Sequence, residues 1–128
     1  MPIVEDDVKR AMESWLKDGG YSSVKARLGT RQGYDVEGVH PTTNKRLVIE
    51  CKGEAHTGDQ HSRSWGNVAS AILTSINEIE DPNNNSEIGI ALPDTKEYRD
   101  RMSLLRGFCK RQRISVFWVS ENRAVVTW

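Results

Sequence analysis

Residues 33–55, GYDVEGVHPTTNKRLVIECKGEA, constrain the fold more than any other stretch of the chain. Two apolar runs flank PTTN, whose Pro, Thr and Asn supply the chemistry of a turn. The stretch therefore predicts two antiparallel strands, at residues 33–40 and 45–52. Asp35 interrupts the first run, and Glu50 and Lys52 interrupt the second. Charged side chains rarely occupy such positions unless they are paired or functional.

The length of the turn decides which charged residues meet. If residues 41–44 form a four-residue loop, Asp35 pairs with Glu50. Directly opposed residues of an antiparallel pair share one face, with Cβ atoms about 4.5–5.5 Å apart. Strand alternation places Lys52 on that same face. A loop that is one residue shorter or longer would put the two carboxylates on opposite faces.

Two opposed carboxylates repel each other unless a positive charge lies between them. A divalent cation such as Mg²⁺ is the natural candidate, because it often binds one or two carboxylates together with substrate phosphate. Lys52 could then orient an attacking water or offset developing negative charge. The alternative is that Asp35 and Glu50 form ordinary exposed ion pairs, with Lys52 as one partner.

The bulk composition excludes some classes of protein. The 128 residues suit one domain, 1–128, and the 37% hydrophobic and 28% charged content is ordinary for a globular chain. The formal net charge of zero argues against a basic coat protein, although it leaves room for a local basic groove. No apolar run has the length of a membrane span, and residues 1–10 do not resemble a signal peptide. Cys51 and Cys109 lack metal-ligand spacing, so we expect reduced thiols in a cytoplasmic protein.

Hydrophobic periodicity predicts an alternation of helices and strands along the whole chain. Helices are expected at 3–18, 64–79 and 95–113, the last of them capped by Asp94, and strands at 21–28, 33–40, 45–52, 86–92, 114–119 and 123–128. The order α-β-β-β-α-β-α-β-β begins with hairpins and continues with strands that helices connect. This order predicts an α/β fold in which a mixed sheet has helices on both faces.

The triplets Gly33-Tyr34-Asp35 and Glu50-Cys51-Lys52, on successive strands, resemble the signature of the PD-(D/E)xK nuclease superfamily. That superfamily includes many restriction endonucleases and Holliday-junction resolvases. The order of elements is also similar over residues 3–119, although Tyr34 stands where Pro is common. The resemblance implies a restriction endonuclease-like fold and a metal-dependent endonuclease. It implies that Asp35, Glu50 and the main-chain carbonyl of Cys51 bind Mg²⁺ or Mn²⁺, and that Lys52 assists the attack of water.

The resemblance also points to the first helix, where members of the superfamily often carry an acidic residue that faces the site. Glu5 is the best candidate, because it lies on the predicted inward face with Val8 and Met12. Asp6 is the second candidate. Alternatively, the acidic first turn only complements the helix dipole.

The loop at residues 54–62 and the helix after it supply candidate substrate contacts. His56, His61 and Arg63 could contact phosphates, and Trp65 could stack on a base. Alternatively, the loop is only polar and Trp65 anchors the helix to the core. Several branches of the superfamily carry a Gln on this helix. The predicted helix has none, and Asn67 and Thr74 are the candidate substitutes.

These observations predict a metal-dependent nuclease that hydrolyses phosphodiester bonds, and the resemblance implies DNA as its substrate. A domain of this size leaves little room for sequence reading, so we expect structure-directed cleavage or a partner protein that supplies specificity. A homodimer would provide the two sites that cutting both strands requires. The alternatives are a catalytically silent nucleic-acid-binding or adaptor subunit on the same fold, an RNA nuclease, and an α/β interaction domain whose charges are surface pairs.

Overall fold

The computed structural model describes residues 2–29 and 33–128, which form a six-stranded sheet flanked by four helices. The strands are β1 Ser22–Ala26, β2 Val36–Val39, β3 Arg46–Cys51, β4 Glu87–Pro93, β5 Ile114–Val119 and β6 Val125–Thr127. The helices are α1 Glu5–Asp18, α2 Gln60–Glu80, α3 Lys96–Ser103 and α4 Arg106–Arg111. The predicted mixed α/β class, with helices on both faces of the sheet, is confirmed.

The hairpin of β2 and β3 has the register that a four-residue loop produces. Val36 pairs with Ile49, and beyond the other end of the ladder the His40 N–H donates to the Lys45 carbonyl at 2.8 Å. Strand β2 begins at Val36 rather than at residue 33 as predicted. Asp35 therefore lies directly before the strand, where its carbonyl accepts the N–H of Arg27 from the β1 side.

The strands lie in sequence order across the sheet, so each pairs with its neighbours in the chain. Strands β3, β4 and β5 are parallel, whereas β1, β2 and β6 are antiparallel to their partners. The nearly continuous apolar runs of β4 and β5 fit strands that are covered on both faces. The carboxyl ends of β3, β4 and β5 meet at the end of the sheet where β2 begins.

Helix α1 covers one face of the sheet with a helically spaced apolar stripe. Val8, Met12 and Leu16 are fully buried there against a cluster that includes Ile49 and Phe117. The opposite face holds a second cluster, formed by α2, α3, α4 and the sheet; its members include Val68, Ala71, Ile90, Tyr98, Met102 and Trp118. Cys51 belongs to the first cluster and Cys109 to the second, and both are buried free thiols.

The predicted helix at 95–113 is divided into α3 and α4. The Leu105 N–H donates to the Met102 carbonyl at 2.9 Å, which tightens the chain into a turn between the two helices. The division lets α3 pack on α2 while α4 packs on β5. The predicted cap was wrong, because Thr95 caps the helix and accepts the Tyr98 N–H, whereas Asp94 binds Arg99.

No helix in the part of the chain that the structure describes is long and apolar enough to cross a membrane.

Candidate active site

Asp35 closes the end of the β2–β3 ladder with its side chain. Its Oδ2 accepts the main-chain N–H of Cys51 at 2.8 Å. In a longer ladder, a main-chain carbonyl of the opposite strand would accept this N–H instead. The side-chain bond ties the carboxylate to the last residue of β3. The register that pairs Val36 with Ile49 makes Asp35 and Glu50 the next opposed residues.

Glu50 and Lys52 lie at the same end of β3. The Lys52 Nζ is 3.3 Å from the Glu50 Oε1, and both side chains are mostly buried. The Lys52 N–H donates to the carbonyl of Ala91, which fixes this segment against β4. Burial raises the pKa of Glu50, and the nearby charge of Asp35 raises it further against the opposing effect of Lys52. The charge of Asp35 therefore acts on the ionisation of Glu50.

Glu37, on the same hairpin, shows how a purely structural carboxylate is held. Burial by itself would raise its pKa, but hydrogen bonds from Arg27 and Arg46 outweigh that effect and lower the pKa overall. Both oxygens of Glu37 thus have a guanidinium partner. Among the described residues, Glu50 has the ammonium of Lys52 as its ion-pair partner and the carboxylates of Asp35 and Glu5 nearby, so its charge is less well compensated.

The amino end of α1 lies against the segment that follows β3. A Cβ on Gly53 would overlap the Glu5 main-chain nitrogen, so only glycine permits this approach. Ile3 and Glu54 exchange two hydrogen bonds: the Glu54 N–H donates to the Ile3 carbonyl at 2.7 Å, and the Ile3 N–H donates to the Glu54 Oε1 at 3.0 Å. These contacts place Glu5 close enough to contribute to the raised pKa of Glu50.

Asp6, the second acidic candidate on α1, has a different main role. Its Oδ1 accepts the N–H of Gly29 at 3.1 Å and so holds the chain that leaves β1. Glu5 has no such main-chain bond among the contacts that the structure describes. The geometry therefore favours Glu5 over Asp6 as the acidic residue of α1 that faces the site.

Lys9 is a site residue that the sequence reasoning missed. Its side chain is 1% exposed, and its Nζ lies 3.2 Å from the Glu5 Oε2 and 3.5 Å from the Asp35 Oδ1. The same ammonium donates to the carbonyl of Arg27 at 2.8 Å. Burial lowers the pKa of Lys9, but Asp35 and Glu5 outweigh burial and raise it overall. A signal was available in the sequence, because Lys9 is four residues after Glu5 and three before the inward-facing Met12.

Asn67 and Tyr98 hold the backbone beside Lys52. The Gly53 carbonyl accepts the Asn67 Nδ2 at 3.0 Å and the Tyr98 hydroxyl at 3.1 Å, and the Asn67 amide also donates to the Tyr98 oxygen at 2.8 Å. Tyr98 is buried, and burial raises its pKa. Asn67 is therefore near the site, but its amide is engaged with the protein.

The other predicted substrate contacts lie on the first turns of α2. His61 and Arg63 are exposed, and the His61 Nε2 lies 3.0 Å from a terminal nitrogen of Arg101. Trp65 is 65% exposed, with the Arg101 guanidinium 5.1 Å from its ring centroid. The alternative in which Trp65 anchors the helix to the core is wrong, because its ring lies on the outer surface.

Helix α2 begins at Gln60, four residues earlier than predicted, so the expectation that it contains no glutamine is also wrong. The Gln60 Nε2 donates to the Ala55 carbonyl at 2.8 Å, and its Oε1 accepts the Ala55 N–H at 3.3 Å. The side chain thus fixes the loop that follows the Lys52 segment.

Asp35 and Glu50 could hold a cation that uses few protein ligands. Glu5, Asp35 and Glu50 bring three carboxylates to one end of the sheet, and Lys9 and Lys52 bring two ammonium groups. Within residues 2–29 and 33–128, no three Asp, Glu, His or Cys side chains are arranged to enclose a metal ion. Mg²⁺ commonly binds one or two carboxylates and completes its octahedron with water and phosphate oxygens, which is the donor set that Asp35 and Glu50 offer.

The chain matches no family model, and comparisons with curated proteins and with solved structures also give no match. The function must therefore be inferred from the site itself.

Proposed function

We propose that this protein is a metal-dependent nuclease with a restriction endonuclease-like fold, and that it hydrolyses phosphodiester bonds in DNA. The observation that carries the proposal is the position of Glu50, which lies beside Asp35 and Lys52 at the end of β3 and has a raised pKa. The contrast with the fully paired Glu37 supports a functional reading, because the fold compensates one hairpin carboxylate and leaves the other beside a like charge.

Each residue has a role in the proposed mechanism. Asp35, Glu50 and the Cys51 carbonyl would hold Mg²⁺ or Mn²⁺, and the bound cation would stabilise charge on the scissile phosphate and lower the pKa of a bound water. Lys52, fixed beside Glu50, would orient the attacking water and offset negative charge as it develops. Glu5 would accept a hydrogen bond from water on the α1 side of the site.

The proposal that DNA is the substrate rests on the resemblance of the two triplets to the signature of the nuclease superfamily. His61, Arg63 and Trp65 lie on the exposed first turns of α2, where a phosphate backbone could reach them. Discrimination against RNA would require contacts with the 2′-hydroxyl groups. The cleavage assay described below therefore includes RNA substrates, which test for an RNA nuclease.

A second candidate function is a catalytically silent subunit that binds nucleic acid or acts as an adaptor. The specific observation in its favour is Lys9, whose buried ammonium lies between the carboxylates of Glu5 and Asp35. An ammonium there supplies some of the positive charge that a metal ion would otherwise provide. Lys9 would then make the carboxylate cluster stable without any metal.

A cleavage assay distinguishes the two functions. The substrates are linear, nicked, single-stranded and four-way-junction DNA with matched RNA, each with Mg²⁺, Mn²⁺ or a chelator. We expect metal-dependent cleavage that Lys52→Ala reduces by about a hundredfold to a thousandfold. The matched control is Lys45→Ala, which removes an exposed lysine from the opposite end of β3 and should leave cleavage unchanged.

Cleavage that persists in Lys52→Ala at the wild-type rate would contradict the proposed role of this site. Binding of DNA without cleavage by the wild-type protein would favour the silent subunit. If the protein neither binds nor cleaves any of these substrates, both functions are wrong, and the α/β interaction domain becomes the better account.

A further inference from the structure

The outer side of α2 carries an apolar surface that the packing of the chain covers only in part. Within residues 2–29 and 33–128, four large apolar side chains are exposed, and three of them lie together: Trp65 at 65%, Leu73 at 60% and Leu104 at 92%. Leu104 borders the surface at the turn between α3 and α4. An apolar patch of this kind with a polar rim typically marks a protein interface.

The patch follows one side of α2. We call it the α2 stripe; it consists of Trp65, Ala69, Ile72, Leu73 and Ile76, which recur at helical spacing. The helix has 21 residues, which corresponds to a length of about 31 Å. The small side chain of Ala69, near the middle of the stripe, would allow another helix to approach closely.

We propose that the α2 stripe binds the α2 stripe of a second copy of this chain, with the two helices antiparallel across a two-fold axis. A two-fold interface requires a surface that is complementary to itself. An antiparallel register that places Trp65 against Ile76 of the second copy also places Ala69 against Ile72. Large side chains thus face smaller ones, and each contact occurs twice.

The charges at the two ends of the stripe fit the same register. At the amino end, the Arg101 guanidinium lies over the Trp65 ring and donates to the His61 carbonyl at 2.9 Å. At the carboxyl end, the exposed Glu80 lies on the same side of the helix, followed by the exposed Asp81. The register that pairs Trp65 with Ile76 brings Glu80 of one copy to His61 and Arg101 of the other. Opposite charges therefore meet at both ends, which selects a second copy as the occupant.

This proposal does not rest on nuclease chemistry, and its test needs no substrate. Sedimentation velocity over low to high micromolar concentrations should show a reversible monomer–dimer equilibrium. Leu73→Glu should raise the dissociation constant of the dimer by about thirtyfold or more, because it places a charge in the apolar centre of the interface. Val126→Glu is the matched control, since Val126 is 49% exposed on β6 and should leave the equilibrium unchanged.

Charge exchange tests the register itself. Glu80→Lys homodimers would bring the introduced ammonium close to Arg101, and His61→Glu homodimers would bring the introduced carboxylate close to Glu80. Each single variant should therefore dimerise more weakly than wild type. A mixture of the two variants allows opposite charges to meet again in a mixed dimer. Native mass spectrometry of the mixture should therefore show mixed dimers above the statistical half.

A chain that stays monomeric at every concentration would overturn the proposal and leave the stripe for a different protein. Dimers that Leu73→Glu does not weaken, or mixed dimers at or below the statistical proportion, would also overturn it. Far-ultraviolet circular dichroism and thermal melting of each variant exclude misfolding, which is not expected because the substituted side chains are exposed.

Discussion

At the scale of single residues, the buried carboxylate of Glu50 lowers the free energy of unfolding when it is ionised, and Lys52 offsets this effect only in part. Burial and the charge of Asp35 raise its pKa, so the folded chain holds the Glu50 proton more tightly than the unfolded chain does. The contribution of this carboxyl to stability is fully present below its unfolded pKa and is lost as the pH rises through its folded pKa. At neutral pH the ionised group therefore weakens the folded state.

Glu50→Gln should stabilise the protein at neutral pH by about 0.5–2 kcal/mol, because it removes the buried charge while keeping a hydrogen-bond acceptor for Lys52. The gain should disappear as the pH falls and wild-type Glu50 becomes protonated. The measurement is the free energy of unfolding from urea denaturation over a series of pH values. The control, Glu97→Gln on the exposed surface of α3, should change stability by less than about 0.5 kcal/mol. Equal stability of wild type and Glu50→Gln at all pH values would contradict the electrostatic account.

The residues of the hairpin were predictable from the sequence, whereas Lys9 was not singled out. Turn chemistry located the hairpin, and a loop of four residues then sets the β2–β3 register and with it which carboxylates meet. Lys9 depends on a contact between α1 and the chain around Asp35, which are distant in sequence. A lysine within an acidic first turn looks like a solvated i,i+4 partner of Glu5 until tertiary packing buries it.

At the scale of elements, Gly53 controls how α1 meets the end of β3. A Cβ at this position would overlap the Glu5 nitrogen and come within 2.5 Å of the Val4 carbonyl carbon. Both of these neighbours are backbone atoms, which cannot rotate away as a side chain can. An added methyl group must therefore push the helix from the sheet.

Gly53→Ala should destabilise the fold by at least about 1–3 kcal/mol, as overpacking of a close contact does. The matched control is Gly66→Ala in α2, where, apart from the two chain neighbours and the backbone of the helix itself, no atom lies within 4 Å of an added Cβ. That change should stabilise the protein by about 0.5–1 kcal/mol, because alanine favours the helix. Thermal and chemical unfolding of both variants measures the difference, and a Gly53→Ala variant as stable as wild type would mean that α1 does not dock as closely as described.

The elements themselves were largely predictable, but the ends of the helices were not. Periodicity located β5 at residues 114–119, which matches its observed bounds. It joined α3 and α4 into one helix, because Tyr98, Met102 and Cys109 continue a helical stripe. The turn between them exists because α3 packs on α2 and α4 packs on β5, and this choice of neighbours is tertiary information.

At the scale of the whole molecule, the candidate active site and the exposed apolar surface of α2 lie in different regions. The carboxylates lie where β2 begins and β3 ends, whereas the α2 stripe runs along the outside of the helical layer. The sequence predicted the first region through the hairpin. It did not reveal the second region, because exposed residues such as Trp65 and Leu73 and core residues such as Val68 and Ala71 all recur along α2 at helical periodicity. Only the packing decides which stripe of an apolar helix faces inward.

A test of metal binding by the whole molecule is independent of catalysis. A ligand that binds only the folded state stabilises it by about 1.4 kcal/mol when its concentration is about ten times its dissociation constant. Millimolar Mg²⁺ or Mn²⁺ should therefore raise the melting temperature of the wild-type protein by several degrees. The rise should exceed that produced by sodium chloride of equal ionic strength, which screens charge without binding at the site.

The variant that tests this prediction combines Asp35→Asn with Glu50→Gln, which removes both carboxylate ligands and keeps the side-chain shapes. Its melting temperature should no longer respond to the divalent cation, even if the loss of charge repulsion makes it more stable at the start. Glu97→Gln combined with Asp100→Asn removes the same charge from exposed positions on α3 and should retain the wild-type response. Equal responses in all three proteins would show that the cation acts on the general surface, and the carboxylate cluster would then owe its stability to Lys9 and Lys52 alone.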